Sequence, residues 1–456
     1  MDTLGVDGMR DSAKVLVVDD DMDSRTIAGE LVRSVGFQAR TVSHAKEALE
    51  ILERERYDVV LSDIRMREST GFDLLWVVRK RYPELPVVLM TAFPSLESAV
   101  DSVKKGACEY LHKPLQSDEL FRTLKRCVTK TSNAPEPPPT HVEERTLIIG
   151  RSPAIVQVYK TIARAAPSRS PVLIEGETGT GKELVARALH QVGPRSSAPF
   201  VEVNCAAVPE TLIESEFFGH MKGSFTGAHE DHAGLFEQAH GGSLFLDEIG
   251  HIPKALQAKL LKAIEDGAVR RVGGTQPVSV DVRLISATSR PIQTLIQDGL
   301  FLEELYYRLN TVMVQVPPLR ERTEDIVMLA RHFLRKYAPP EHYGADFAED
   351  AVAALLAYPW PGNVRELEQV VRRAAEFTNS AFIAAHDLKL VTPGGKTPEM
   401  QKLSEVEEAH IRRVLEFTRG NKQRAADILG IDRKTLYRKL GGAGPEPEEA
   451  PLGSQG

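Results

Sequence analysis

The chain has 456 residues, of which 42% are hydrophobic and 27% are charged, and its formal net charge is −7. This length predicts roughly two to four domains, because a single hydrophobic core does not grow that large. No apolar run approaches the ~20 residues that cross a bilayer, and the N-terminus lacks the apolar core of a signal peptide, so a cytoplasmic protein without a membrane partner is predicted. Cys108, Cys127 and Cys205 have no CxxC spacing, which fits a reducing cytosol and excludes a cysteine metal site.

Two stretches rich in Pro, Gly and charge, 131–145 and 392–401, are predicted to be linkers. They divide the chain into three predicted folded regions, at 13–130, 146–391 and 402–441. The composition of 442–456 predicts a disordered tail. The chain is therefore interpreted as an α/β multidomain protein with a small C-terminal module.

The first region alternates short apolar runs with helical patterns, which predicts a parallel, doubly wound sheet. The runs are VLVVD (15–19), VVLSD (59–63), VVLMTA (87–92) and EYLHK (109–113). Polar side chains follow these strands on the edge where such sheets bind ligands: Asp19, Asp20, Asp21, Asp63, Thr91 and Lys113. Clustered carboxylates require a cation, and their oxygens suit Mg²⁺. A Mg²⁺ ion there can neutralise a phosphoryl group arriving on one aspartate, with Lys113 and Thr91 holding its oxygens.

This arrangement resembles the receiver domain of two-component systems. The resemblance implies a flavodoxin-like fold, a sensor histidine kinase as partner, and a cis peptide between Lys113 and Pro114. It also implies site roles: Asp63 as the phosphoacceptor, Asp19, Asp20 and Asp63 as Mg²⁺ ligands, and Thr91, Tyr110 and Lys113 as switch residues. One position departs from the family, because Arg67 stands where receivers usually have a proline.

The second region contains VLIEGETGTGKE (172–183), an apolar strand that leads into a glycine-rich loop of the form GxxxxGK. Successive backbone N–H groups of such a loop bind phosphates, and Lys182 would reach the β- and γ-phosphates of ATP. Glu183 replaces the usual Ser or Thr and could approach Mg²⁺ directly or through water. The predicted ATP-binding loop is Gly176, Glu177, Thr178, Gly179, Thr180, Gly181, Lys182 and Glu183.

Three further segments complete a predicted ATPase site. GGSLFLDEIG (241–250) is an apolar strand ending in Asp247, which would hold Mg²⁺, and Glu248, which would polarise the attacking water. VRLISATSR (282–290) places Thr288 and Ser289 where they could sense the γ-phosphate. YPWPGNVREL (358–367) places Arg365 on a helix as a lid arginine over the nucleotide.

GSFTGA (223–228) lacks strand or helix periodicity and predicts a loop with an apolar tip; from the residues alone, Phe225 could equally fold back into the core. Together with GETGTGKE, LYYRLN, PPLRER and WPGNVREL, it resembles the central AAA+ domain of the activators of sigma-54 RNA polymerase. The resemblance implies an α/β part at 146–317, a helical lid at 318–391, and a homo-oligomer that ranges from a dimer to a hexameric ring.

The resemblance also implies residue roles in this region. Asn204 would restrain Glu248, and Arg308 would be an arginine finger that reaches a neighbouring subunit. The contact with sigma-54 would be made by Gly223, Ser224, Phe225, Thr226, Gly227 and Ala228. Ser224 stands where the family usually has Ala, and Leu302 stands where it often has a second Arg.

The third region has an amphipathic pattern over 403–420, followed by two short helical patterns that meet at Gly430. The segment 419–440 contains seven basic and two acidic residues. In a protein of negative net charge, this local excess of positive charge indicates DNA binding. Its apolar spacing is carried by Ala425, Ala426, Ile428, Leu429, Ile431 and Leu436. The segment resembles the Fis-type helix-turn-helix, which implies DNA contacts by Arg433, Lys434, Thr435, Tyr437, Arg438 and Lys439.

The sequence is thus interpreted as a phosphorylation-controlled, sigma-54-dependent transcriptional activator that uses ATP and Mg²⁺. Its expected partners are sigma-54 RNA polymerase, upstream DNA and a sensor histidine kinase. An alternative, motivated by Leu302, is a DNA-binding regulator that binds nucleotide with little hydrolysis. The sequence leaves open whether the receiver represses or promotes assembly.

Overall fold

The structure is a computed structural model that describes residues 13–129, 148–225, 227–338, 345–377 and 382–390. In the C-terminal region it describes 411, 414, 418, 421–432, 435 and 436. Packing divides the chain into two compact units, Met1–Lys389 and Leu390–Gly456. Both linkers and the C-terminal tail lie outside the described residues. No helix among the described residues is long and apolar enough to cross a membrane.

The N-terminal part of the first unit is a five-stranded sheet of order β2-β1-β3-β4-β5, with every pairing parallel. The strands are Lys14–Val18 (β1), Gln38–Val42 (β2), Val59–Asp63 (β3), Val87–Thr91 (β4) and Glu109–His112 (β5). The helices are Met22–Ser34 (α1), Ala45–Arg54 (α2), Gly71–Arg81 (α3), Leu96–Lys104 (α4) and Ser117–Thr129 (α5). The predicted doubly wound sheet is confirmed.

The strands of the receiver sheet differ in burial, and only the buried ones are visible as apolar runs in the sequence. β3 and β4 are buried along their whole length, so they appear as continuous apolar runs. β2 lies at the sheet edge, reads QARTV and is largely exposed or half-buried. The apolar runs of the sequence analysis therefore did not include it.

The ATPase region of the first unit has a second parallel sheet, of order β12-β6-β11-β8-β7. Its strands are Val172–Glu175 (β6), Phe200–Asn204 (β7), Ser243–Asp247 (β8), Arg283–Thr288 (β11) and Val312–Gln315 (β12). A hairpin of Ala268–Arg270 (β9) and Pro277–Ser279 (β10) stands apart from this sheet.

The helices of this part surround the sheet. They are Pro153–Ala165 (α6), Lys182–Gln191 (α7), Glu210–Phe218 (α8), Leu235–Gln238 (α9), Lys254–Asp266 (α10), Ile292–Gln297 (α11) and Glu303–Leu309 (α12). β6 leads into the glycine-rich loop, and α7 begins at Lys182, so the loop has the strand–loop–helix context that the sequence predicted.

A helical lid follows the second sheet. It contains Thr323–Tyr337 (α13), Glu349–Ala357 (α14) and Asn363–Phe377 (α15), with two short paired strands, Asp346–Phe347 (β13) and Phe382–Ile383 (β14). Trp360 is fully buried before α15 and donates from Nε1 to the carbonyl of Leu355 at 2.9 Å. This anchor fixes the start of α15, which carries Arg365.

The receiver sheet and the ATPase region are in direct contact, because α4 packs on α6. Glu109 is buried at this contact and pairs with Arg126 of its own fold and with Arg164 of α6, the latter at 2.7 Å. Lys160 of α6 pairs with Glu119 at 3.0 Å. The face of the receiver formed by α4, β5 and α5 is thus held by charges from the ATPase region.

The cysteines differ from the expectation of reduced thiols. Cys108 and Cys127 form a disulfide between the segment before β5 and α5, with their Cα atoms 6.6 Å apart. That separation lies within the range a disulfide can span. No sequence pattern indicated the pair, because the separation of 19 residues between the two cysteines matches no motif. Cys205 is free and buried.

The second unit is described by a few residues of its helical core. The helix Lys422–Leu429 begins at Asn421, whose side chain accepts from Arg424 N, and ends at Gly430 with φ 64°, in agreement with the predicted turn. Its core contains Ile411, Val414, Ala425, Ala426 and Leu436, with Leu429 and Ile431 packed against them. Ile428 was expected in this core, but it is 51% exposed, because it lies two residues after the buried Ala426 and so points to the opposite side of the helix.

Candidate phosphoacceptor and ATPase sites

The predicted phosphoacceptor side chain lies at the carboxyl edge of the first sheet, beside a lysine. Lys113 Nζ donates to Asp19 Oδ2 at 2.6 Å and also to Asp63 Oδ2. Burial alone would lower the pKa of Lys113, but its hydrogen bonds to the two carboxylates outweigh burial and raise that pKa. Burial raises the pKa of Asp19, which Lys113 only partly opposes. The lysine ammonium therefore sits where the charges of two carboxylates converge.

Arg67, the departure noted in the sequence, contacts a second predicted Mg²⁺ ligand. Its backbone N–H donates to Asp20 Oδ2 at 3.2 Å, and its Nε lies 3.5 Å from the same oxygen. Asp21 has a local role, because its side chain accepts from Ser24 N and begins α1. Among the described residues, no group of three or more His, Cys, Asp and Glu side chains is arranged as a metal site.

The predicted switch residues of the receiver lie on adjacent strands. Thr91 Oγ1 accepts from Phe93 N at 3.1 Å. Tyr110 is buried, and its hydroxyl lies 2.8 Å from Ser98 Oγ of α4. Burial raises the pKa of Tyr110. The Lys113–Pro114 peptide is cis, as expected.

In the ATPase region, the glycine-rich loop folds around its own lysine. Lys182 Nζ donates to the carbonyls of Gly176 at 2.9 Å and Glu177 at 3.3 Å, and it lies 3.7 Å from Glu248 Oε1. Burial lowers the pKa of Lys182, and the attraction of Glu248 and Asp247 does not compensate. Gly181 has φ 101°, a conformation that side-chain-bearing residues rarely adopt. The loop therefore presents a desolvated cation that is short of anionic partners.

Two residues that the sequence interpretation did not assign hold this loop against the lid. The buried Asn363 donates from Nδ2 to Thr178 O at 3.0 Å and to Glu177 Oε2 at 3.1 Å, while its Oδ1 accepts from Leu319 N at 2.8 Å. Arg320 forms two hydrogen bonds with the Glu177 carboxylate and lowers its pKa to about 2. Both lie in segments quoted for the family resemblance, PPLRER and WPGNVREL, but their spacing carries no signal of contact with the loop.

The lid helix α15 reaches the glycine-rich loop directly. The N–H of Arg365 donates to Gly179 O at 3.2 Å. A Cβ atom at Gly179 would lie 2.3 Å from the carbonyl of Gly362, so only glycine permits this approach. Arg365 is thereby placed beside the loop, as the lid-arginine prediction requires.

The carboxylates after β8 lie next to Lys182. Burial raises the pKa of Asp247, and the neighbouring Glu248 adds to this effect. Glu248 has φ 52° and accepts at Oε2 from Ser289 Oγ at 2.7 Å and Ser289 N at 3.2 Å. Ser289 follows β11, so these contacts tie the end of β8 to the end of β11.

Two side chains assigned to this site contact other groups. Asn204 Oδ1 accepts from Ala206 N at 3.0 Å, and no hydrogen bond among the described residues joins it to Glu248. Glu183 pairs with Arg187 one turn along α7 at 3.0 Å. The roles assigned to Asn204 and Glu183 therefore stay predictions, and the structure gives only these local contacts for the two side chains.

The GSFTGA segment is a loop with no regular secondary structure in its described residues. Phe225 is 38% exposed, and its ring packs edge-on against His220 with centroids 5.0 Å apart. His220 in turn stacks on His232. Ser224 Oγ is buried without a hydrogen-bond partner, and Thr226 lies outside the described residues. Phe225 is thus neither a core residue nor fully free.

The remaining predicted site residues are placed as follows. Arg308 is exposed on α12. Leu302 precedes α12, where its N–H donates to Gln257 Oε1 at 2.7 Å and its side chain is partly buried against the core. Thr435 donates from Oγ1 to Asp432 Oδ2 at 2.6 Å. The other predicted DNA-binding residues, Arg433, Lys434, Tyr437, Arg438 and Lys439, lie outside the described residues.

Comparison with family models matches four segments of the chain. They are the response regulator receiver domain over 15–125, the sigma-54 interaction domain over 148–315, the AAA+ ATPase lid domain over 320–404, and the bacterial regulatory protein, Fis family, over 402–441. Fold and sites together define a class of protein, the response regulators that join a receiver to an AAA+ ATPase and a DNA-binding domain.

Full-length relatives share this organisation. The chain is 44% identical to the transcriptional regulatory protein ZraR of Escherichia coli K12, over 94% of this chain and 99% of that one. It is 41% identical to the DNA-binding transcriptional regulator NtrC of Proteus hauseri, over 93% and 97%. The crystal structure of NtrX from Brucella abortus in complex with ATP is similar with TM-score 0.51 and 33% identity, over 94% and 99%.

The chain belongs to the family of sigma-54-dependent response regulators of two-component systems. It carries an ATP-binding AAA+ ATPase domain and a Fis-type helix-turn-helix for DNA binding.

Proposed function

We propose that this protein is a cytoplasmic activator that assembles from dimers into a ring, hydrolyses ATP, and remodels sigma-54 RNA polymerase while bound to upstream DNA. The observation that carries the proposal is the pairing of two features in one domain. Lys182, Asp247 and Glu248 meet at one sheet edge, and the same domain presents Phe225 on a loop tip with 38% of its surface exposed. An exposed aromatic residue on a loop suits a partner surface.

The ATPase residues have separate roles in this proposal. The N–H groups of the glycine-rich loop and Lys182 bind the phosphates, because a buried cation with a lowered pKa gains most from an anion. Glu248 polarises the attacking water. The desolvated carboxylate of Asp247 fits Mg²⁺, which when bound neutralises phosphate charge. Arg365 contacts the nucleotide from the lid, and Arg308 is offered to a neighbouring subunit.

In the receiver, Asp63 is the proposed phosphoacceptor for a sensor histidine kinase. Asp19, Asp20 and Asp63 would supply the oxygen ligands that Mg²⁺ prefers, at an edge where Lys113 now contacts Asp19 and Asp63. A phosphoryl group on Asp63 would take Lys113 from its present carboxylate partners. Since Lys113 follows β5 directly, this exchange would alter the α4–β5–α5 face that now contacts α6, and with it the oligomeric equilibrium.

DNA binding is assigned to the C-terminal unit. Gly430 ends the helix Lys422–Leu429 in the manner of a helix-turn-helix. The proposed recognition residues are Arg433, Lys434, Thr435, Tyr437, Arg438 and Lys439. Changing Arg433 and Lys434 to Ala should weaken specific DNA binding. It should also reduce the salt dependence of binding by about one unit of slope for each phosphate-binding side chain that is removed.

The substitution Phe225→Ala tests the central proposal. We expect an unchanged melting temperature and unchanged ATPase activity, because a loop tip buries little apolar area. Binding to sigma-54 in the presence of ADP–aluminium fluoride should be abolished. Leu300→Ala removes another exposed apolar side chain of the same domain and should keep that binding. If Phe225→Ala still traps sigma-54 and activates transcription, the loop is not the coupling element.

The alternative of a regulator that binds nucleotide with little hydrolysis is separated by a concentration series. A ring enzyme shows specific ATPase activity that rises with protein concentration, because its active sites form between subunits. A turnover near zero at every concentration would favour the alternative. In that case Leu302→Arg should restore turnover if the missing arginine is the cause.

The receiver assignment has its own test. Asp63→Asn should abolish labelling by acetyl phosphate, because an amide cannot form the acyl phosphate. Glu68→Gln changes another exposed acidic side chain of the same domain and should leave labelling intact. Labelling of the Asn variant at the same stoichiometry would move the phosphoacceptor to another residue.

A further inference from the structure

The Cys108–Cys127 disulfide joins the two receiver segments that hold the contact with the ATPase region. Cys108 directly precedes Glu109 in the chain, and Cys127 directly follows Arg126. Glu109 forms an ion pair with Arg126, and Arg164 of α6 donates to both oxygens of the same carboxylate, at 2.7 and 2.9 Å. The covalent bond and the ion pair therefore link the same two pairs of neighbouring residues, one at the start of β5 and one in the last turn of α5.

Helix α5 does not depend on the disulfide for its position along its whole length. Leu120 and Leu124 are fully buried in the hydrophobic cluster that α5 covers. Arg126 and Cys127 lie in the last turn instead, where the carbonyl groups have no partners along the helix and the end can fray. Loss of the disulfide would therefore loosen the turn that carries Arg126 and leave the rest of the helix in place.

The two cysteines differ in their access to solvent. Cys108 is half-buried, whereas Cys127 is only 2% exposed. A small thiolate can therefore reach the sulfur of Cys108 and expel Cys127 as the leaving group. Disulfides of cytosolic proteins are usually transient and redox-sensing. A bond of this kind in a protein proposed to be cytoplasmic is expected to form and break with the thiol–disulfide balance around it.

We propose that Cys108 and Cys127 are a reversible redox-modification site whose oxidant is a low-molecular-weight disulfide, and that its state sets the strength of the contact between the receiver and α6. On oxidation, the Cys108 thiolate attacks the small disulfide and releases one small thiolate. The Cys127 thiolate then attacks the mixed disulfide at the Cys108 sulfur and releases the second.

The exchange is balanced, because one S–S bond is broken for each one formed and the protons of the two cysteines end on the two small thiols. Reduction by a small thiol runs the same steps in reverse. The inference goes beyond the proposed function, since neither phosphorylation of Asp63 nor ATP hydrolysis uses either cysteine.

The chemistry is tested on the full chain by thiol alkylation and mass spectrometry. The folded protein is treated with glutathione disulfide, freed of the reagent, unfolded and alkylated, and only Cys205 of the three cysteines should be labelled. After treatment of the folded protein with dithiothreitol, all three should be labelled, and a second treatment with glutathione disulfide should protect Cys108 and Cys127 again. A bond that dithiothreitol cannot reduce in the folded protein, or thiols that glutathione disulfide cannot oxidise, would overturn the redox site.

The effect on the contact is tested by hydrogen exchange of α6 in the oxidised and reduced states. We expect reduction of the parent protein to accelerate this exchange about three-fold, the size of one weakened hydrogen bond. Cys108→Ser should exchange at the faster rate under both conditions. Arg126→Ala should do the same although its disulfide still forms, because the disulfide acts on Glu109 through Arg126. Cys205→Ala removes the buried free thiol and should keep the response of the parent.

Two results would contradict the coupling. Equal exchange of α6 in the oxidised and reduced parent would show that the disulfide does not influence the contact. A response to reduction that persists in Arg126→Ala would show that Arg126 does not transmit it. Neither result depends on ATP turnover or on sigma-54, so a failure here is distinguishable from a failure of the proposed function.

Discussion

The receiver and the ATPase region each place one lysine at the carboxyl edge of a five-stranded parallel sheet, half-buried Lys113 and buried Lys182, but the pKa values of the two lysines are shifted in opposite directions. Lys113 lies between Asp19 and Asp63, and these carboxylates raise its pKa despite burial. Lys182 donates mainly to backbone carbonyls, and burial lowers its pKa. Two sheets of similar topology therefore carry different sites. In the receiver, Lys113 is paired with Asp19 and Asp63, which we call the closed cluster. In the ATPase region, Lys182 is bonded mainly to backbone carbonyls, which we call the open cation site.

The difference indicates how each site meets phosphate. In the receiver cluster Lys113 is already paired with two carboxylates, so a phosphoryl group on Asp63 must displace existing ion pairs, and the displacement can be transmitted to neighbouring helices. Lys182 lacks a strong anionic partner, so the phosphates of ATP would supply the missing negative charge. Their binding would break few existing ion pairs. A signalling site and a substrate site thus use the same residue type with different neighbours.

The comparison is tested most strongly by Lys182→Ala. We expect the affinity for ATP to fall about a thousandfold, because a buried charge contact worth about 4 kcal/mol is removed. The melting temperature should stay the same or rise, since the desolvation of Lys182 is not compensated. Lys254→Ala, on an exposed site of α10, is the control. ATP affinity within tenfold of the parent, measured by titration calorimetry, would contradict an open cation site.

Lys113→Met should act in the opposite way and destabilise the receiver. Removing one partner of a buried ion pair leaves Asp19 uncompensated and costs about 3 kcal/mol. The pKa of Asp19 is already raised, so its folded state is favoured when it is protonated, and the destabilisation should shrink as pH falls from 7 towards 4. Hydrogen exchange of β3 at both pH values measures this. Lys46→Met, on the exposed side of α2, should change little, and an equal effect of both variants would contradict the closed cluster.

A third substitution asks whether the two sites communicate through the contact of α4 and β5 with α6. Arg164→Ala removes one of the charges that hold the pKa of buried Glu109 low against its desolvation. We expect hydrogen exchange in α6 to accelerate about five-fold, as for one partly exposed charged hydrogen bond. Because the pKa of Glu109 is lowered, the contact of the parent protein should also weaken as pH falls below 4.5, its ordinary value.

The matched control for this contact is Arg187→Ala, which removes ion pairs with Glu183 and Glu202 away from the receiver. It should leave exchange in α6 unchanged. Unchanged exchange in the Arg164→Ala variant would show that apolar packing of α4 on α6 holds the two regions together without the ion pair.

The smallest effect is expected for Arg67→Ala. Arg67 is highly exposed and its ion pair with Asp20 is long, at 3.5 Å, so its contribution is a few tenths of a kcal/mol. Half-maximal labelling of Asp63 by acetyl phosphate should need about half as much Mg²⁺ once this competing cation is removed. Arg56→Ala, also exposed, should not shift the Mg²⁺ requirement. A higher requirement in the Arg67→Ala variant would mean that Arg67 assists metal binding.

Much of both sites could be predicted because parallel strands align their carboxyl ends. Asp19, Asp63, Thr91 and Lys113 follow apolar runs, and the sheet order brings them to one edge. The same reasoning placed Lys182, Asp247 and Glu248 together. It does not extend to contacts that depend on the rotation of single side chains, such as those of Asn204 with Ala206 and of Glu183 with Arg187. No spacing rule records which of several nearby donors a flexible side chain selects.

The sequence by itself determined the order of the domains, the two parallel sheets and the polar residues at their edges, because hydrophobic periodicity and glycine placement are local properties. Only the tertiary structure decided which charged and polar side chains pair with each other. Asn363 and Arg320 meet Glu177 across more than 140 residues, and Arg164 meets Glu109 across 55. The Cys108–Cys127 bond and the hold of Ser289 on Glu248 have the same origin, since each depends on distances set by the packing of elements that the chain connects only remotely.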